Sequence, residues 1–186
     1  MKPRIFILLV LFTLILQIGS AFAIKEGPAG HEITGAGDPD LVLKMMEVSV
    51  NQRLFDDYRS VLSDSFVYVP DLGMVDMYPD IAWDKWDITK EEGFLKRLMS
   101  PVLKAELILT DFITERGMPY NQEARYEINY MLKIQGNEYA GEGLFIFEEI
   151  DKRWYLKRWE EITPILNQTT GANYTNSGEI RASLLP

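Results

Sequence analysis

Hydrophobic positions along the chain follow one period in its first half and another in its second. Between Asp38 and Leu62 they recur at spacings of three and four. Leu41, Val42, Met45, Met46 and Val48 to Val50 form one stripe, and after a break at Asn51-Gln52 a second runs through Leu54, Phe55, Tyr58, Val61 and Leu62. This spacing predicts two amphipathic helices. Asp38 is placed to cap the first, with Pro39 in its opening turn. Ser63 to Ser65 are expected to turn the chain into a short strand, Phe66 to Val69, that ends at Pro70. A third helix is expected from a capping box at Thr89 to Glu92 through Met99, with Phe94, Leu95, Leu98 and Met99 facing inward and Pro101 stopping it.

The period then changes to two. Val102 to Glu115 places Leu103, Ala105, Leu107 and Leu109 on one face, and the pattern breaks at Thr110-Asp111, where Phe112 and Ile113 are adjacent; this predicts a bulge or a strong bend. After a turn at Gly117 to Asn121, Glu123 to Ile134 alternates cleanly, with Tyr126, Ile128, Tyr130, Leu132 and Ile134 on one side. Gln135-Gly136-Asn137 leads into NEYAGEGLFIFEEIDKRWYLKRWEEI, residues 137 to 162, two long strands joined at Asp151-Lys152. A two-residue turn there would set Ile150 against Arg153, Phe147 against Leu156, Phe145 against Arg158 and Leu144 against Trp159. One face would carry Phe145, Phe147, Trp154 and Leu156. The other would carry Leu144, Ile146, Ile150, Tyr155 and Trp159, mixed with Glu148, Lys157 and Glu161. Neither face is cleanly polar, so both need cover. Helices are expected on one side, and a second copy of the chain or the C-terminal tail on the other.

The ends of the chain carry other signals. Lys2 and Arg4, an apolar run from Ile5 to Ile18 and the small-residue site Ala21-Phe22-Ala23 read as a secretory signal peptide over 1–23. The run is shorter than the roughly 20 residues a membrane span needs, so cleavage and export, to the periplasm or the medium, are expected. Residues 24–37 are rich in glycine and read as a flexible leader. They hold His31, the single histidine, which we read as neither base nor ligand. Residues 38–166 form the expected domain and 167–186 a polar tail with Asn-Gln-Thr and Asn-Tyr-Thr sequons. A net charge of -9 argues against nucleic acid or an anionic membrane as partner. The absence of cysteine excludes disulfides and thiol catalysis, and no Gly-x-Ser-x-Gly, phosphate loop or histidine metal cluster is present. No cofactor or metal is expected. Five aspartates lie between 70 and 88, but their spacing does not make a calcium loop.

The order helix, helix, short strand, irregular loop, helix and long antiparallel strands resembles the nuclear transport factor 2-like superfamily, which includes ketosteroid isomerases and polyketide cyclases. RLFDDYRSVLSDSFVYVPD, TKEEGFLKRLM and GEGLFIFEEIDKRWYLKRWEE carry the resemblance, which spans about Asp38 to Thr163. A cystatin-like sheet wrapped on one helix is the rival, and three helical segments favour the former. The resemblance implies an α+β cone: three N-terminal helical segments packed on a strongly bent mixed or antiparallel sheet, with a pocket at its open end. The 70–88 loop is the piece available to cover that mouth, with Trp83 and Trp86 as lid, wall or core plug. Candidate ligand contacts are Tyr58, Tyr68, Trp83, Trp86, Tyr130 and Trp159. Enzymes of the resembled superfamily commonly use an aspartate base in the pocket, which makes Asp71 and Asp111, with Tyr68, Tyr126 or Tyr130 as hydroxyl donors, the catalytic candidates. Local turn or bulge roles are favoured for both aspartates. The expected function is an exported domain that binds a small apolar or amphipathic ligand or another protein without catalysis, as a homodimer through the outer sheet face. The alternative is a cofactor-free isomerase, dehydratase or cyclase using a buried aspartate.

Overall fold

Asp38 caps the first helix, α1 (Pro39–Gln52): its side chain accepts a 2.7 Å hydrogen bond from the Leu41 amide, and Arg53 ends the helix in a left-handed conformation. The structure, a computed structural model, describes residues 35–115, 122–162 and 176–185. The expected signal peptide, His31, the expected turn at Gly117–Asn121 and both sequons lie outside the described residues. Gly35 and Ala36, expected in the flexible leader, are tied down. Ala36 is buried and exchanges two backbone hydrogen bonds with Trp154, of 3.0 and 2.8 Å.

A short helix α2 (Phe55–Ser60) leads into strand β1 (Leu62–Val69). Ser63 to Ser65 belong to this strand and do not form the expected turn. Their hydroxyls find partners on the sheet, since Ser63 and Ser65 both donate to Glu148, so polar residues are accommodated without leaving extended backbone. The irregular loop contains α3 (Leu72–Met77), capped by Asp71, and a single 3-10 turn (Trp83–Lys85). Helix α4 (Ile88–Leu98) is capped two residues before the start of the expected box, because Asp87 accepts from the amides of Thr89 and Lys90. Phe94, Leu95, Leu98 and Met99 are buried as the stripe predicts.

The remaining strands are β2 (Ala105–Glu115), β3 (Glu123–Ile134), β4 (Asn137–Ile150) and β5 (Arg153–Ile162). The sheet order is β1-β5-β4-β3-β2, with β1 parallel to β5 and the other pairs antiparallel. The expected irregularity in β2 falls between Thr110 and Ile113. In β3, burial alternates residue by residue as its sequence does. The inner face of the sheet packs on the helices through Phe66, Tyr68, Leu107, Ile128, Phe145, Phe147, Leu156 and Trp159. Among the described residues no helix is long and apolar enough to cross a membrane.

The β4–β5 hairpin departs from the expected register at one point. Ile150 pairs with Arg153 and Phe147 with Leu156 as read from the sequence, but Phe145 pairs with Trp159 and Leu144 with Glu160. The shift lies between Ile146, opposite Arg158, and Phe147, opposite Leu156, so Lys157 is the extra residue of a bulge. One inserted residue reverses the alternation beyond it. Trp159 and Glu161, expected on the face opposite Phe145, Phe147 and Leu156, therefore share their face and turn into the core. The tail is corrected too: its last residues form α5 (Ser177–Ser183), where Ser177, Gly178, Ile180 and Arg181 are buried against the cone.

Asp151 and Lys152 both have positive φ, 52° and 63°, which is the conformation a two-residue hairpin of this twist requires. A side chain bears a cost of about 1–2 kcal/mol in that region. Lys152→Gly should therefore stabilise the chain by up to about 1 kcal/mol after the entropy of a glycine is set against it. Chemical denaturation checks this, and a destabilised variant would show that the turn conformation is not the one described.

Candidate functional site

Two carboxylates are buried inside the cone, each delivered by a different device. Glu91 lies on α4 one turn before Phe94 and Leu95, so the apolar stripe of that helix carries it inward, and it is 0 % exposed. Glu161 reaches the interior because of the β5 bulge and is 5 % exposed. Around them stand Tyr68 from β1, Tyr130 from β3, Trp159 from β5 and Trp86 from the loop before α4. Gly141 and Gly143 on β4 make this possible. A Cβ at Gly141 would lie 2.4 Å from the Tyr130 hydroxyl, and one at Gly143 would lie 2.9 Å from Trp159 Nε1.

The polar groups form one connected network. Tyr68 Oη donates to Glu161 Oε1 at 3.1 Å, and Tyr130 Oη donates to Glu161 Oε2 at 2.6 Å. Ser177 Oγ also donates to Glu161 Oε1, and its amide donates to Tyr130 Oη at 2.8 Å. Arg181 Nε and Nη2 grip Glu91 Oε2 and Oε1 at 3.0 and 2.7 Å, and Nη1 donates to Ser177 Oγ at 2.6 Å. Trp86 Nε1 donates to Glu91 Oε2 at 2.8 Å. The Arg181 guanidinium carbon lies 3.9 Å from the Tyr68 ring centre, 4.5 Å from that of Trp159 and 4.7 Å from that of Phe94. The void left beside Ser177 and Arg181, bounded by Tyr58, Phe94, Leu95 and Trp159, is about 10 Å³, the space of a single water.

No family model and no curated protein matches the chain by sequence. Solved structures match it by fold. A protein of unknown function from Mycobacterium tuberculosis superposes with a TM-score of 0.50 at 7% identity, covering 78% of this chain and 82% of its own. A candidate scytalone dehydratase from Novosphingobium aromaticivorans gives 0.50 at 9%, covering 68% and 81%. A nuclear transport factor 2-like protein from Cytophaga hutchinsonii gives 0.49 at 10%, covering 67% and 96%. These likenesses show the fold, helices packed on a five-stranded mixed sheet, as expected for a nuclear transport factor 2-like cone. At these identities the likeness concerns the architecture, and the site has to be read from this chain's own residues.

Within the nuclear transport factor 2-like cone, Tyr68, Tyr130, Trp86 and Trp159 meet at the network. Trp83 lies beside them, stacked on Trp86 with ring centres 5.3 Å apart, and its Nε1 donates to the Tyr78 carbonyl. Tyr58 borders the void. Asp71 does not join: one oxygen caps α3 through the Met74 amide and the other accepts from Asn176 Nδ2, the cap residue of α5. Asp111 sits at the β2 irregularity with its side chain outside the described residues. Glu91, Glu161, Ser177 and Arg181 were missed. Glu91 had a signal, an acid on the stripe completed by Phe94, Leu95 and Leu98. Glu161 required knowledge of the bulge, and Arg181 sits in a segment with no apolar periodicity. Among the described residues no group of three or more histidines, cysteines or carboxylates is placed to hold a metal.

A second concavity, about 300 Å³, lies near the turn end of the hairpin and is bounded by Leu62, Ser63, Ser65, Glu148, Ile150 and Tyr155. Burial opposes the charge of Glu148, but the Ser63 and Ser65 hydroxyls and Lys157 at 3.4 Å outweigh it and hold the carboxyl below its usual range. Lys157 also pairs with Glu123 at 3.1 Å.

Burial pushes Glu161 above the ordinary carboxylate range, although the Ser177, Tyr130 and Tyr68 hydroxyls and the Arg181 charge pull the other way. Burial, with Glu161 adding to it, also pushes both tyrosines well above their usual value, so they act as neutral donors. A raised carboxyl pKa means that the folded chain holds this proton more tightly than the unfolded chain does. The stability it contributes is full below the ordinary glutamate value and is lost as pH climbs through the raised one. Glu161→Gln should remove that dependence. Comparing denaturant midpoints of the two proteins from about pH 4 to about pH 8 should show the parent losing ground to the variant as pH rises, and a constant difference would refute the shift.

Proposed function

We propose that this chain is an exported binding domain, without catalytic activity, whose cone interior receives a ligand or a segment of another protein. The observation that carries this reading is α5 seated in the cone. A seven-residue helix attached beyond β5 occupies the place where the fold can hold a guest, and it does so through polar contacts made by Ser177 and Arg181. The interior groups suit recognition better than turnover. Both carboxylates are fully engaged by donors, and the remaining void admits no substrate. Catalysis has one feature in its favour: Glu161 between two tyrosine hydroxyls is a workable acid-base group. It would serve only in a state with α5 withdrawn.

Helices this short are marginal alone, so α5 is held by its contacts and should open more readily than the sheet. Amide exchange measures this directly. Residues 177–185 should exchange through an opening well below global unfolding, while Phe94, Leu95 and β3 exchange only by unfolding. Equal protection in all of these would make α5 a permanent part of the core and end the receptor reading.

The homodimer through the outer sheet face belongs to the same proposal. Leu144 and Ile146 are half-buried there, beside an Arg158–Glu160 pair at 2.8 Å. Light scattering of the processed protein at micromolar concentration should return twice the chain mass. A monomer mass would remove the dimer and leave the receptor untouched.

A further inference from the structure

We infer that the cone interior is a guanidinium-binding site, that Arg181 is its resident occupant, and that an arginine side chain on another peptide competes for it. This rests on the receptor reading above and specifies the chemistry of the guest. The reason lies in how the contacts divide. The host groups, Glu91, Trp86, Tyr68, Phe94, Trp159, Tyr130 and Glu161, all belong to residues 66–161, and only Ser177 and Arg181 come from α5.

Part of the host is held by bonds among host groups alone. Trp86 Nε1 donates to Glu91 Oε2 at 2.8 Å, and the Tyr68 and Tyr130 hydroxyls donate to the two oxygens of Glu161. A buried carboxylate in such a place needs a cation, because an uncompensated buried charge is expensive. The shape selects which cation. Glu91 offers both oxygens to Nε and Nη2, and three aromatic rings have their centres 3.9 to 4.7 Å from the guanidinium carbon. A planar fork satisfies the two oxygens and lies against the rings at once, whereas an ammonium makes a point contact and stacks on nothing. Ser177 and Arg181 stand four apart on one helical face, so the guest pattern is Ser-x-x-x-Arg. Gly178 completes the fit. A Cβ there would lie 2.8 Å from Met74 Cγ and 3.0 Å from the Tyr68 hydroxyl, so the turn enters only with its second position bare.

The test uses the full chain. Arg181→Ala removes the side chain beyond Cβ, and N-ethylguanidinium is the fragment removed. Millimolar N-ethylguanidinium should raise the melting temperature of Arg181→Ala saturably and leave the parent chain unmoved. Ethylammonium and urea should bind about tenfold more weakly or not at all, and adding Glu91→Gln should abolish the effect. A rise is diagnostic, because guanidinium acting as a denaturant lowers the midpoint. A second measurement covers the case in which Arg181→Ala does not fold. The parent chain is mixed with the capped peptide Ser-Gly-Glu-Ile-Arg-Ala, and amide exchange of residues 177–185 is followed. Faster exchange with this peptide, but not with its Arg→Lys version, supports a peptide-borne arginine as the competitor. Rescue by N-ethylguanidinium without peptide competition would keep the guanidinium site and assign it to small ligands. Absence of both overturns the inference, and if α5 still opens in the exchange experiment the receptor reading survives it.

Discussion

A guanidinium ion removed from water and enclosed by three aromatic rings is tolerable only with a carboxylate held against it, and the Arg181–Glu91 pair meets that condition inside this cone. The rest of the interior is arranged to make the pair possible. Trp86 orients the carboxylate, Ser177 takes the third guanidinium nitrogen, and Ser177 in turn is held by Glu161 and Tyr130. Removing one partner from such a pair costs about 3–5 kcal/mol, because the other charge stays buried, whereas replacing both with apolar groups can cost little. On the proposed receptor reading, the charged pair selects which segment fills the cone, since only a segment that presents a guanidinium completes it.

The bulge at Lys157 is the second constraint. Without it, Arg158 and Glu160 would continue the inward parity of Leu156, and the core would face one charge of each sign in place of Trp159 and Glu161. The inserted residue instead sends Arg158 and Glu160 to the outer face, where they pair at 2.8 Å. It also brings Trp159 over Phe145, with ring centres 4.6 Å apart, and edge-on to Tyr130 at 5.2 Å. Gly141 and Gly143 on the neighbouring strand leave the room these rings take. Strand irregularity and glycine placement thus act together, one aiming the side chains and the other making space for them.

These two constraints explain which parts were legible in the sequence. Periodicity is a property of regular backbone, so α1, α4, β3 and the hairpin turn could be read from residue spacing, and the order of elements led to the right fold. Tyr68, Trp86, Tyr130 and Trp159 were found as candidates because large aromatics on apolar faces are easily seen. The charged half of the site was hidden for three separate reasons. Glu91 looked like an ordinary helix-opening acid, Glu161 carried the parity of a strand without a bulge, and Arg181 lay where a polar tail showed no pattern at all. Two aspartates of the loop crowded with them do structural work: Asp71 and Asp87 each cap a helix, and Asp71 also accepts from Asn176 at the start of α5.

A segment can lack periodicity and still be recruited to a core if its few contacts are strong and specific. α5 has only seven residues, too few to be stable alone, and its one fully buried apolar side chain is Ile180, with Ala182, Leu184 and Leu185 partly buried beside it. Charge-assisted bonds hold what apolar area cannot, together with a donation from Arg97 on α4 to the Leu184 carbonyl at its end. Contacts of that kind depend on angle and distance far more steeply than hydrophobic contact does. A helix held by them is either seated in full or released, with little stability in between. On the receptor reading, the residues that make the seated state specific are the ones a competing arginine would have to satisfy.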